Sequence, residues 1–92
     1  MKSYNLTVLI SPDLSDTERA DYITKLENLI SEKGAITSST EEKKIALAYP
    51  IKKKIEAFLK SYDFNYPEEE ITNLKNTLEK ENNILRFLII RN

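Results

Sequence analysis

The chain predicts an α+β sandwich, a four-stranded antiparallel sheet with two helices on one face. Three observations carry that reading. Apolar residues alternate with period two in several segments, two apolar stripes recur at helical spacing, and the order is strand–helix–strand–strand–helix–strand.

Residues 4–10 alternate Tyr4, Leu6, Val8 and Ile10 against Asn5, Thr7 and Leu9, as a half-buried strand does. Ser11-Pro12-Asp13 stops it. Ser15-Asp16-Thr17-Glu18 reads as a capping box, and Tyr22, Ile23, Leu26, Leu29 and Ile30 follow on one helical stripe within 15–33. Gly34 is expected to close this helix in the left-handed cap conformation. A strand over about 35–40, a polar turn around 41–44 and an apolar strand over 45–51 come next. Residues 55–66 form a further strand, with Phe58, Tyr62, Phe64 and Tyr66 on one face. Lys60 shares their parity and is expected at a strand end, at a bulge or in a snorkelling position. Pro67 and Glu68-Glu69-Glu70 suit the first turn of a second helix over 67–81, striped by Ile71, Leu74 and Leu78. Asn82-Asn83 turns the chain into a last strand, 84–91. This βαββαβ order is the ferredoxin-like sandwich, read as a single domain over 1–92.

Composition narrows the chemistry. Within the 92 residues there is no cysteine, no histidine and one glycine. Disulfides, thiolate metal sites, imidazole acid–base catalysis and Gly-rich phosphate loops are thereby excluded. No apolar run approaches membrane-spanning length, and the first residues enter a strand directly, so neither a signal peptide nor a membrane partner is expected. No cofactor is expected either. The net charge of −1 conceals a polarity. The two helical segments hold five basic residues against ten acids, whereas the remainder holds nine against five. Helices on one side then make an acidic layer and leave the other side basic, a polarity that orients a protein over a polyanion. Surface helices also favour glutamate for propensity alone.

Two surfaces stand out. Leu47-Ala48-Tyr49-Pro50-Ile51 runs into Lys52-Lys53-Lys54. A proline and a lysine run inside a strand belong at an edge or a bend, where they either hold phosphates or keep the edge soluble. The last strand is apolar on both faces. Its parity sends Leu85, Phe87 and Ile89 to the core and Arg86, Leu88 and Ile90 to the uncovered face, where Leu9 and Leu59 join them. Clustered there, Leu9, Leu59, Leu88 and Ile90 form a patch for a protein partner. The same face lacks the stacking aromatics of RNA-recognition sheets, so RNA contact is expected through phosphate and ribose. Tyr49, Tyr62 and Tyr66 are read as core packing with hydroxyls at the rim. Glu68 and Glu69 are read as dipole partners and not as paired catalytic acids.

The segments from Tyr4 to Leu14, Gly34, Leu47 to Lys53, Phe64 before Pro67, and Asn83 to Arg91 appear in order across nearly the whole chain. In them the chain resembles the bacterial small-subunit ribosomal protein six family. Leu47-Ala48-Tyr49-Pro50-Ile51-Lys52-Lys53 is the specific segment. The resemblance implies a cytoplasmic, ribosomal, non-enzymatic protein that binds the central domain of the small-subunit ribosomal RNA together with ribosomal protein eighteen. Carried over by position, the RNA-binding candidates are Lys2, Lys52, Lys53, Lys54, Arg86 and Arg91. The chain departs from the family in having Glu42-Lys43-Lys44-Ile45-Ala46 where Trp-Gly and a dense basic run are usual.

Two other classes of protein use the same fold. An acylphosphatase-like hydrolase needs an arginine-bearing phosphate cradle, and Ser11-Pro12-Asp13 offers neither glycine nor cation. The alternative is an ACT-like small-molecule regulatory domain, although its usual glycine-rich turn after the first strand is absent.

Overall fold

The computed structural model describes all residues from Met1 to Asn92. The elements are β1 (Lys2–Ile10), α1 (Asp16–Ser31), β2 (Ala35–Ser39), β3 (Lys43–Ile51), β4 (Lys54–Tyr66), α2 (Ile71–Glu79) and β5 (Ile84–Arg91), with a 3-10 turn at Glu68–Glu70 leading into α2. β1 lies between β4 and β5, while β2 and β3 both pair with β4. Every pairing is antiparallel.

β2 and β3 occupy one edge of the long β4. Ala35 to Ser39 run along Asn65 to Tyr62, and Lys43 to Ala46 along Leu59 to Glu56. They are one broken strand in a four-position sheet. The polar stretch around 41–44 is therefore no chain-reversing turn. Thr40 still donates its amide to the Ser61 carbonyl at 2.9 Å, and Lys43 and Lys44 already belong to β3.

The alternation in β1 follows its burial: Tyr4, Leu6, Val8 and Ile10 are sealed beneath the helices, and Asn5, Thr7 and Leu9 face away. Tyr62, Phe64 and Tyr66 of β4 meet them, together with Tyr22, Leu26 and Ile30 of α1 and Leu74 and Leu78 of α2. The buried tyrosines keep polar ends satisfied. Tyr22 Oη donates to Glu81 at 3.0 Å and Tyr62 Oη to Glu27 at 3.2 Å, and burial raises both phenol pKa values above the ordinary range. The capping box is complete, since the Glu18 amide donates to Ser15 Oγ and the Ser15 amide to Glu18 Oε1.

Lys60 snorkels. Its stem is buried on the core face while Nζ reaches the Thr40 carbonyl at 2.6 Å. Gly34 corrects the expectation of a left-handed cap, because no glycine has positive φ. It is required by proximity: a Cβ there would lie 2.1 Å from the Asn65 carbonyl oxygen and 2.7 Å from the Tyr66 ring. No helix is long and apolar enough to cross a membrane.

Candidate nucleic-acid and partner interface

The sheet face away from the helices is built in three cross-strand rows. Leu59, Leu9 and Arg86 form the first, Ser61, Thr7 and Leu88 the second, and Asp63, Asn5 and Ile90 the third. The parity expected for the last strand holds: Leu88 and Ile90 are 57% and 51% exposed. One extra residue, Leu85, enters β5 where the register shifts beside Ile10, so Ile84 and Leu85 are both buried there.

This face is not uniformly apolar. Leu9 and Leu59 are direct partners, and Leu88 is diagonal to Leu9. Beside them lies a connected polar cluster. Asn5 Nδ2 donates to Asp63 Oδ1 at 2.9 Å and to Ser61 Oγ at 3.2 Å, and Thr7 Oγ1 donates to Asn5 Oδ1 at 3.2 Å. The bond from Asn5, and then one from Ser38 Oγ to Oδ2 at 3.0 Å, hold the Asp63 carboxyl below its usual range. The face is thus an apolar band along β5, continued by Leu9 and Leu59, around a polar centre that is already satisfied. Parity predicts the two kinds of residue; the bonds joining the polar ones depend on pairing that sequence alone does not supply.

The lysine run forms the tip of the β3–β4 hairpin. Ile51 pairs with Lys54 across a two-residue loop in which Lys52 and Lys53 have φ of 49° and 66°. Tight hairpins favour this left-handed pair of residues, usually with Asn and Gly. A lysine held there costs about 1–2 kcal/mol, so the tip needs support. Three contacts supply it. Lys52 Nζ donates to the Ile84 carbonyl at 3.1 Å, Lys54 pairs with Asp13, and Arg86 reaches Tyr49 Oη at 3.5 Å. Tyr49 corrects the expectation that it packs in the core, because it is 60% exposed on the hairpin. Pro50 stands on the exposed edge strand, as its missing donor requires.

The six cationic candidates separate into two groups. Lys52, Lys53, Lys54 and Arg86 gather where the hairpin tip meets β5. Lys2 and Arg91 lie at the other end, since Lys2 pairs with Tyr66 and Arg91 with Tyr4. Eight strand steps from Ile10 to Lys2 separate the ends by roughly 27 Å. Both distal residues share the parity of Tyr4, so they stand on the helix side, and Arg91 approaches Glu68 at 4.0 Å. Within the proximal group Lys53 has no carboxylate partner, whereas Lys54 has one.

Sequence reasoning missed Arg19. This α1 residue is buried, and its guanidinium lies 3.8 Å from the centroid of the Phe58 ring. Nε donates to Glu42 Oε2 and Nη2 to Asp16 Oδ1, each at 2.8 Å. It ties α1 to the break between β2 and β3. Its position on the Tyr22–Leu26–Ile30 side of the helix was the available signal.

An antiparallel sheet with two helices on one face, in this strand order, defines a ferredoxin-like α+β sandwich, here with a mixed open face and a cationic hairpin tip. A profile of the family described as "Ribosomal protein S6" matches residues 3–91. The chain is 39% identical over 92 residues to small ribosomal subunit protein bS6 of Caldanaerobacter subterraneus, covering 99% of this chain and 97% of that one. The protein of the same name from Thermoanaerobacter pseudethanolicus is also 39% identical, with the same coverage. The crystal structure of 30S ribosomal protein S6 from Thermotoga maritima superposes with a TM-score of 0.92 at 22% identity, over 99% of this chain and 87% of that one, a likeness of fold. The chain belongs to the ribosomal protein S6 family, and so to the small-subunit ribosomal proteins and not to the enzymes.

Proposed function

We propose that this chain binds the central domain of the small-subunit ribosomal RNA together with ribosomal protein eighteen, as a structural constituent of the particle. Leu9, Leu59, Leu88 and Ile90 are assigned to the protein partner. Lys52, Lys53, Lys54 and Arg86 are assigned to RNA phosphates, with Lys2 and Arg91 as a second, distal point of contact. The observation that carries the reading is the pair Leu88 and Ile90, exposed on the face that the helices leave uncovered. Each is already about half covered, so sealing the remainder is worth roughly half of the full-burial value, about 0.8–1.5 kcal/mol each. The hairpin tip supports the RNA assignment, since it holds Lys52 and Lys53 in a costly conformation at the end of that face.

Filter binding of a central-domain RNA fragment, with and without ribosomal protein eighteen, tests it. The reading expects tighter retention when the three components are mixed. Equal retention of RNA by ribosomal protein eighteen alone and by the mixture contradicts it.

A further inference from the structure

The outer edge of β5 has no strand beside it, because the sheet ends there. Its free backbone groups can be identified. The Asn92 amide donates to the Ser3 carbonyl at 3.0 Å, and the register Tyr4 to Arg91 places Ser3 opposite Asn92. In an antiparallel ladder the bonded residues alternate, so Ile90 and Leu88 turn their amides toward β1. Phe87, Ile89 and Arg91 turn theirs outward.

Alongside this edge runs a groove of about 420 Å³ between β5 and α2. Leu78 and Phe87 contribute to its apolar lining. Its charged lining is Lys52, Lys75 and Arg86 against a single carboxylate, Glu79. None of those three cations is paired to a carboxylate.

We propose that the β5 edge accepts an extended acidic peptide segment as an added strand, with its apolar side chains along Leu78 and Phe87 and its carboxylates attracted by the excess positive charge of Lys52, Lys75 and Arg86 over Glu79. An unpaired edge gives affinity through main-chain hydrogen bonds, and the adjoining pocket selects side chains. A polypeptide fits better than a nucleic-acid strand, because phosphate and ribose groups do not alternate donor and acceptor at the spacing of a strand edge, and the phosphates offer nothing apolar to the lining. The groove borders the open sheet face, sharing Arg86 and Leu88 with it and Lys52 with the hairpin tip, so the test rests on Lys75, Glu79 and the outward amides of β5, which the assignments of that face and tip do not use.

The probe is an acetylated octapeptide alternating glutamate and valine, titrated into the full chain while amide hydrogen exchange is followed by NMR. Exchange at Phe87 and Ile89 is expected to slow by about tenfold or more at saturation. Lys75→Glu should weaken peptide binding severalfold and Glu79→Lys should strengthen it. Both sites are exposed on α2, so a thermal melt that matches the parent chain assures an intact fold. The proposal is overturned if Phe87 and Ile89 gain no protection. It is equally overturned if a lysine–valine octapeptide binds as well, or if polyuridylate protects these amides and the peptide does not.

Discussion

Lys54 of β4 is ion-paired to Asp13 of the β1–α1 turn, while its neighbour Lys53, at the summit of the same hairpin, meets no carboxylate. Adjacent lysines of one run therefore have different electrostatic availability. A phosphate that approaches Lys54 competes with Asp13; one that approaches Lys53 does not.

Under the proposed assignment of the tip to RNA phosphates, this difference is measurable in the salt dependence of RNA binding. Each phosphate contact contributes about 0.7–0.9 to the slope of log affinity against log salt. Lys53→Ala should remove about one such unit. Lys54→Ala should remove clearly less, because its charge is already half-spent on Asp13. Equal changes for the two variants would show that the hairpin tip rearranges on binding.

Gly34 offers a test of why a glycine stands there. With ordinary φ and a carbonyl oxygen 2.1 Å from any added Cβ, Gly34→Ala should cost about 2–3 kcal/mol by denaturant unfolding. Gly34→Asn, which a left-handed cap tolerates, should cost at least as much. An asparagine variant as stable as the parent would restore the cap explanation.

Arg19→Met keeps much of the stem but removes the charge that Phe58, Glu42 and Asp16 surround. Loss of the stacked guanidinium and its two charged hydrogen bonds should destabilise the fold by about 1–2 kcal/mol. Loosening should concentrate at 40–44, seen as faster amide exchange there. Uniform destabilisation without local loosening would deny Arg19 its role as the tie between α1 and the strand break.

Acid should weaken the fold through three carboxylates whose pKa values lie below the usual range. Glu18 is lowered by the Ser15 amide and hydroxyl, Asp63 chiefly by Asn5, and Glu70 by Asn73 and Lys33. A folded pKa below the unfolded one gives stability that is present above the unfolded value and lost as pH falls through the folded value. Unfolding free energy should therefore be flat above the usual 4.5 and decline below it. Asp63→Asn should make that decline shallower, and an unchanged profile would remove Asp63 from the account.

Much of this architecture is legible from residue order, because each element carries its own local signal. The serine–glutamate box starts α1, the period of two marks β1, and a strand apolar on both faces announces Leu88 and Ile90 outside. Contacts made through space are less legible. Gly34 looks like a cap because the approach of β4 has no signature near residue 34. Tyr49 looks like core because aromatic residues usually are, and only the hairpin geometry places it on the outside. The lysine run stays together as read, but the placing of Lys2 and Arg91 at the opposite end of the molecule depends on pairing register. Arg19 carries a sequence signal only in its helical phase, since its partners lie at 42 and 58.

The central claim is that the uncovered face bearing Leu88 and Ile90 serves for docking. Isothermal titration of ribosomal protein eighteen into Ile90→Asp and the parent chain, beside thermal melts of both, tests it most directly. The account predicts heat of binding reduced to background in the variant, with stability changed by no more than about 0.5 kcal/mol. Full binding by the variant, or collapse of its stability, would contradict it.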